Sequence, residues 1–245
     1  MKTFFGNWMT QVWILLVAVF LGCCLGCFST LWASSNAFLT TPISVAVISA
    51  ESRADYETRI APLMKEQMKT CSSCSIQNLT PYTKDGQFSL ATLPAQIEAA
   101  RSSSSFLFLN WNAKSTAETK PVVEVLKKIV QSGMVVVASA GVARGSEPTL
   151  PLSRTVVGEV HGIVIIGELG EKERLFSQSY FGPEMLTAVK PPREFIGQGF
   201  APLFFASKLA AQWNKKTGAD WLTHFQSTKA KVRRIWPGLD DFFGR

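Results

Sequence analysis

The chain has 245 residues, of which 47% are hydrophobic and 18% charged, and its formal net charge is +7. A chain of this length can bury one good-sized core, and its composition excludes an intrinsically disordered protein. No charged residue lies between Thr3 and Ala50, whereas residues 214–245 hold seven Lys or Arg and three Asp. We expect this basic C-terminal segment either to bind an anionic partner or to form a solvent-exposed helix face.

An apolar stretch, Val12–Trp32, comes first in the chain. As a helix it would span about 30 Å, enough to cross a bilayer. Lys2 precedes it, which predicts a single-pass anchor with a cytoplasmic N-terminus and the remainder outside, periplasmic or extracellular. Two alternatives stay open: a lipid anchor at Cys23, or a signal peptide cleaved after Ala37 and a secreted product.

Strand and helix patterns alternate along the rest of the chain. Short apolar runs rich in β-branched or aromatic residues predict strands at Ile43–Ser49, Cys74–Leu79, Phe106–Asn110, Met134–Gly141 and Val160–Leu169. Apolar residues at helical spacing predict helices at Asp55–Lys69, Leu93–Arg101, Glu118–Ser132, after Gly199, and from Ala219 to about Ile235.

This order predicts an α/β fold of three layers, a mainly parallel sheet flanked by helices. We divide the chain into an anchor or signal segment (1–37), an α/β domain (38–213) and a basic helix and tail (214–245). In such sheets ligands bind at the carboxyl ends of strands. Those ends are predicted at Ser49-Ala50, Asn110-Trp111 and Ala138–Val142, together with the Gly197–Gly199 turn.

Cys71 and Cys74 form a C-x-x-C motif, "CSSC", and the only histidines are His161 and His224. A zinc site needs about four ligands, so we expect neither a metal nor another cofactor. Outside the cytoplasm the motif is better explained as a local disulfide that closes a helix-to-strand turn.

Three runs of the sequence resemble one family. "KKIVQSGMVVVASAG", "EVHGIVIIGELGEKERLFSQSYFGPEMLTAV" and "GQGFAPLFFASKLAA" are similar to the C-terminal half of the subtilisin-like serine peptidases (subtilases). The resemblance covers residues 118–213 well and 43–117 loosely. It implies a parallel-sheet fold, a strand that ends in an alanine-glycine-asparagine turn, and a nucleophilic serine in a glycine-rich turn that opens a buried helix.

The resemblance also places the catalytic positions, and this chain departs from the family at each of them. Ser49 stands in place of the aspartate, Val142 in place of the oxyanion asparagine and Gly199 in place of the serine; residues 49–106 contain no histidine. Nucleophilic catalysis needs a hydroxyl, an adjacent base and an orienting carboxylate. The sequence therefore predicts a domain without peptidase activity. Ser139 and Ser207 are available hydroxyls that could restore a nucleophile.

We accordingly expect a membrane-anchored, exported-side, inactive subtilase-like domain that binds another membrane or envelope protein or acts as a scaffold. A homo-oligomer is an alternative assembly, and no nucleic acid is expected. Two other functions stay open: a residual or non-standard serine peptidase, and a binder of anionic lipid or polyanion through the C-terminal helix. The candidate contacts of the latter are Lys229, Lys231, Arg233 and Arg234, beside an apolar face formed by Trp221, Phe225, Val232 and Trp236.

Overall fold

The computed structural model describes residues 42–69, 71–79, 81–143, 145–196, 199–231 and 238–243. Its centre is a six-stranded, fully parallel sheet in the order β2-β1-β3-β4-β5-β6. The strands are β1 Ile43–Ser49, β2 Cys74–Asn78, β3 Phe106–Asn110, β4 Val135–Ser139, β5 Val164–Glu168 and β6 Met185–Val189. Helices cover both faces, so β4, β5 and β6 are buried along their full length, and their continuous apolar sequences follow from this.

Helices connect and cover the strands. The first, α1, consists of Arg53–Asp55, a π-helical turn over Tyr56–Ile60, and Ala61–Gln67. The others are α2 Leu93–Ser103, α3 Lys120–Gln131, α4 Ala201–Gln212, α5 Gly218–Lys231 and α6 Leu239–Phe243. Pro121 lies in the first turn of α3, as predicted, where its missing N–H costs no hydrogen bond.

Alternate residues of each strand point to opposite faces of the sheet and form two cores. Val45 and Val47 of β1 pack with α1, α4, α5 and α6, whereas Ala46 and Ile48 pack with α2 and α3. The three-layer α/β prediction is therefore confirmed. Residues 42–245 form one compact unit.

The described strands differ from the prediction chiefly at β5 and β6. β5 begins at Val164 and not at Val160, because residues 157–162 form turns. β6 was not predicted as a strand; its five residues, "MLTAV", form only a short apolar run. Within the described residues no helix is long and apolar enough to cross a membrane, and Val12–Trp32 lies outside them.

The C-terminal helices bury their aromatic side chains in the domain. Trp221 and Phe225 of α5 are each 1% exposed and pack in one cluster with Phe205 of α4 and Phe242 and Phe243 of α6. These two residues of the predicted lipid-facing surface therefore belong to the core. Val232, Arg233, Arg234 and Trp236 lie outside the described residues.

The predicted disulfide is present between Cys71 and Cys74, whose Cα atoms are 5.4 Å apart. It closes the turn that connects α1 to β2. Both half-cystines pack against the core that contains α4, so the bond fixes the turn against the domain.

Tyr56, in the π-helical turn of α1, is 2% exposed. Its hydroxyl is buried without a hydrogen-bond partner among the described residues. Burial raises the pKa of Tyr56 well above its ordinary value, and the neighbouring Tyr82 acts in the same direction. The phenol therefore stays protonated in the folded chain at pH values at which an unfolded chain ionises it.

We expect Tyr56→Phe to stabilise the protein at pH 7 by about 1 kcal/mol, because it removes an unpaired buried hydroxyl. Since the folded pKa is raised, the wild type loses stability as pH rises through and above about 10, by about 0.8 kcal/mol at pH 10.5 for one such tyrosine. Urea unfolding at both pH values checks this. An alkaline loss in Tyr56→Phe as large as in the wild type would contradict it.

Candidate functional site

The candidate site lies at the carboxyl ends of β1, β3 and β4. The chain passes from β1 to β2 on one side and returns to β3 on the other, which makes the gap beyond β1 and β3 a topological switch point. A cavity of about 70 Å³ opens there, lined by residues that follow these three strands and by Gly199 before α4. The sequence-predicted positions Val142 and Gly199 both line it, and Ser49 lies next to it at the end of β1.

Three small polar side chains end neighbouring strands on one face of the sheet. The amide Nδ2 of Asn110 donates to Ser49 Oγ at 3.4 Å, and Ser49 Oγ also accepts from the backbone N–H of Glu51 at 3.3 Å. Ser139 Oγ accepts from the N–H of Gly141 at 3.1 Å. Both serine hydroxyls thus bind backbone or amide N–H groups, neither of which is a base.

Asn112 braces the site and was missed by the sequence reasoning. Its Nδ2 donates to the carbonyl of Ala140 at 2.7 Å and to Thr155 Oγ1 at 3.1 Å. Its Oδ1 accepts from the N–H groups of Ala113 at 2.9 Å and Val157 at 3.2 Å. Because these four bonds use the whole amide, Asn112 offers no further donor to an oxyanion. No local pattern could reveal this role, since three of the four partners are distant in sequence.

Glycines form the turns at positions 141 and 199 for two different reasons. Both have positive φ, +87° and +74°. A Cβ on Gly141 would lie 2.9 Å from the ring of Tyr180 and 3.0 Å from Cβ of Asn112, whereas a Cβ on Gly199 would meet no atom within 4 Å. Gly199 is therefore favoured by its backbone conformation and not by close contact with a neighbouring group.

The helix that follows β1 opens without a histidine. Ser52 Oγ accepts from the N–H of Asp55 at 3.2 Å, and the two side chains bond at 2.6 Å. Asp55 thus completes a helix cap, as expected for a carboxylate in a first helical turn. Glu51, half-buried, is the carboxylate that lines the cavity; the sequence reasoning considered only Ser49 at this strand end.

Both histidines of the chain lie elsewhere. His161 precedes β5, at the opposite edge of the sheet, where it lines a groove of about 440 Å³. His224, on α5, contacts the carbonyl of Phe242 through Nε2 at 2.6 Å. Ser207 is 1% exposed within α4. The structure therefore brings Ser49, Ser139, Val142 and Gly199 together and leaves His161, His224 and Ser207 apart from them.

Lys229 and Lys231, predicted to contact a partner or lipid, lie near the end of α5. The ammonium of Lys229 donates to the carbonyls of Pro183, at 3.2 Å, and Met185. Burial lowers the pKa of Lys229, and the carboxylate of Glu184 opposes this change. Lys229 thus fastens α5 to the start of β6, whereas Lys231 is exposed.

A larger cleft of about 720 Å³ adjoins the small cavity and shares Ala50, Trp111, Asn112 and Val142 with it. Its walls carry Phe88, Leu150, Tyr180 and Trp111, and the rings of Phe88 and Trp111 lie 5.9 Å apart. Two proline-containing loops lie in different places. Pro148 and Leu150, in the loop 148–152, line this cleft, whereas Phe195, in the loop 190–195, packs against Phe200 and Phe204.

No protein-family model matches the chain, and no curated protein matches its sequence. Among the solved structures that are similar in fold are three proteases. A cold-adapted subtilisin-like serine proteinase is 12% identical with a TM-score of 0.54, covering 72% of this chain and 77% of its own. A lanthipeptide protease is 10% identical with a TM-score of 0.56, and the match covers 82% of this chain and 84% of that protein. The prenylagaramide maturation protease PagA is 12% identical with a TM-score of 0.51, and the match covers 76% of this chain and 83% of that protein. The chain therefore has a subtilisin-like fold, as the sequence resemblance implied.

Gly141→Ala is expected to destabilise the protein by about 2–5 kcal/mol, through positive-φ strain and overlap with Tyr180 and Asn112. Gly133 is a matched control, because it has the same φ of +87° but no atom within 4 Å of the position that an added methyl group would occupy. Gly133→Ala should cost only about 1–2 kcal/mol. Urea unfolding measures both, and equal losses would show that the turn is not tightly packed.

Proposed function

We propose that this chain is a catalytically inactive subtilisin-like domain that binds another protein in the cleft at the carboxyl ends of β1, β3 and β4. We further propose that the apolar stretch Val12–Trp32 holds it at a membrane, with the domain on the exported side. The observation that carries the proposal is the pairing of an open, aromatic-lined cleft with an adjoining polar site whose hydroxyls contact no base among the described residues.

The bonding of the two serines supports inactivity. A serine becomes a nucleophile when a base within hydrogen-bond reach takes its proton. Ser49 Oγ binds the amide of Asn110, and Ser139 Oγ binds a backbone N–H. Asn112 is fully bonded and position 142 is valine, so neither of these residues supplies a donor for a developing oxyanion.

The cleft supports protein binding. Its volume of about 720 Å³ and its aromatic and aliphatic walls fit several apolar side chains of a partner, and Lys114 and Glu147 line it as charged groups. Binding pockets commonly combine an apolar wall with a few polar groups, and aromatic side chains are frequent anchors of interfaces.

Simple strand addition, in which an extended peptide pairs with a strand edge, is not the binding mode that we propose. Beyond β3, the N–H of Ser115 donates to the carbonyl of Arg154 at 2.9 Å, and the N–H of Val156 donates to the carbonyl of Ala113 at 2.9 Å. These peptide groups are already used within the chain. We therefore propose that the partner binds mainly through side chains that enter the cleft.

A non-standard serine peptidase is the second candidate, because Ser139 and Glu51 line the same small cavity. The full-length protein should not react with a fluorophosphonate serine-hydrolase probe, and Ser139→Ala should give the same blank result. Labelling of the wild type that disappears in Ser139→Ala would replace the proposed function with this alternative. An active subtilase labelled in parallel serves as the positive control.

The binding proposal is tested with a photoreactive p-benzoylphenylalanine at Gln87, which is exposed and lines the cleft. In native membranes we expect one discrete crosslinked protein, and Trp111→Ala should lower its yield severalfold because an aromatic anchor is removed. Ala99, on α2, lies away from the cleft; it is the matched control position and should give no such adduct. Equal adducts from both positions, or none from Gln87, would contradict the proposal.

A further inference from the structure

Basic side chains lie at the helix ends along one edge of the sheet. Because the strands are parallel, helices α1 to α4 run back across the sheet and end at its amino edge, where strands begin. Basic residues lie in or just after their last turns, at Lys69, Arg101, Lys128 and Lys215. Cations are favourable there, because helix C-termini carry partial negative charge.

Three of the cations at this edge are neutralised within their own helices. Lys69 pairs with Glu66, Arg101 with Glu98 and Lys127 with Glu124. These are exposed pairs, which contribute little to stability. The net charge of this edge is therefore set mainly by the cations outside these pairs.

Four lysines form what we call the basic patch: Lys128, Lys208, Lys215 and Lys216. Lys208 is the exposed residue in the otherwise buried stretch 201–210 of α4, and Lys215, also exposed, ends the short 3-10 turn Trp213–Lys215 that follows α4. Lys216 Nζ lies 5.3 Å from the ring centre of Trp221. The start of α5 lies beside the end of α3, since a Cβ on Gly218 would be 3.3 Å from the carbonyl oxygen of Gly133, and this brings Lys128 to the same edge.

The acidic groups near the patch are few. Asp220 lies at the start of α5, where its carboxylate accepts from the hydroxyl of Thr217 at 2.7 Å. Glu184 belongs to the groove at the far end of α5, beside Lys229. At the carboxyl edge, by contrast, the loops hold both acidic residues (Glu51, Asp85, Glu147) and basic residues (Lys84, Lys114).

The chain also enters the domain at this edge. β1 begins at Ile43, and ten residues separate Ile43 from Trp32, the end of the apolar stretch. Ten residues reach at most about 33 Å. β1 thus begins at the edge of the sheet that holds the helix C-termini.

We propose that the basic patch is a membrane-contact surface for anionic lipid headgroups, which turns the cleft at the opposite edge away from the bilayer. This inference rests on the proposed membrane attachment. Juxtamembrane lysines are each attracted to an anionic surface by a modest energy that ionic strength screens, so the contact is additive and salt-sensitive.

The test uses amide hydrogen exchange of the full-length chain in nanodiscs of phosphatidylcholine, alone or with about 30 mol% phosphatidylglycerol. We expect residues 211–219 to exchange at least about fivefold more slowly in the anionic discs, and about 0.5 M NaCl to remove the difference. The triple variant Lys208→Glu, Lys215→Glu, Lys216→Glu should lose the protection.

The matched control is Lys84→Glu, Lys120→Glu, Lys172→Glu, which makes the same change in net charge with exposed lysines of the carboxyl edge. It should keep the protection. Equal exchange in both lipids, or equal loss in both triple variants, would overturn the proposal. Protection by a short DNA duplex in neutral discs would also overturn it, by showing a general polyanion site.

A failure of the proposed membrane attachment can be distinguished from a failure of the lipid-contact proposal. If the chain does not insert into nanodiscs, the membrane part of the proposed function fails, and sedimentation with neutral and anionic vesicles then decides the patch alone. Sedimentation only with anionic vesicles, lost in the patch variant and kept in the control variant, would still support the lipid surface; its absence would refute it.

Discussion

The burial of α4 is the constraint on which the rest of the domain depends. Nine of its twelve residues are buried, because the helix lies between the sheet and the helices α1, α5 and α6. Its apolar surface on all sides requires this covering. The position of α4 fixes the turn at Gly199 beside the ends of β1 and β4, and its outer side holds the aromatic cluster that docks α5 and α6. The cleft and the C-terminal helices are thus consequences of one packing arrangement.

Much of the fold could be predicted from the sequence where burial acts on a local pattern. β1 and β3 have the predicted bounds, because an apolar run buried on both faces ends where a polar residue, Ser49 or Asn110, appears. β6 and the true start of β5 could not be predicted. The segments around Val160 and Phe181 form turns and isolated bridges, and tertiary neighbours help to decide where such a segment gives way to a strand.

The candidate site was predictable in position but not in its interactions. Ser49, Val142 and Gly199 were located by resemblance, and the fold brings all three to one strand edge. The bracing amide of Asn112, the carboxylate of Glu51 and the reason for glycine at position 199 follow only from the three-dimensional structure. Asn112 holds the turn after β4 to the segment 155–157, so the shape of the cleft is maintained by hydrogen bonds that no catalytic role demands. A geometry kept rigid in this way is compatible with binding as well as with chemistry.

The two edges of a parallel sheet covered by helices differ in the backbone groups that they expose. Parallel strands place the C-termini of the connecting helices at the amino edge, where lysines are stabilised by the backbone, and leave the strand carboxyl ends and their loops at the other. In this chain β1 begins at the edge that holds the basic patch, and the cleft lies at the other edge. The residues that line the cleft and those of the basic patch share no helix end and no loop, so substitutions at one edge can leave the other unchanged.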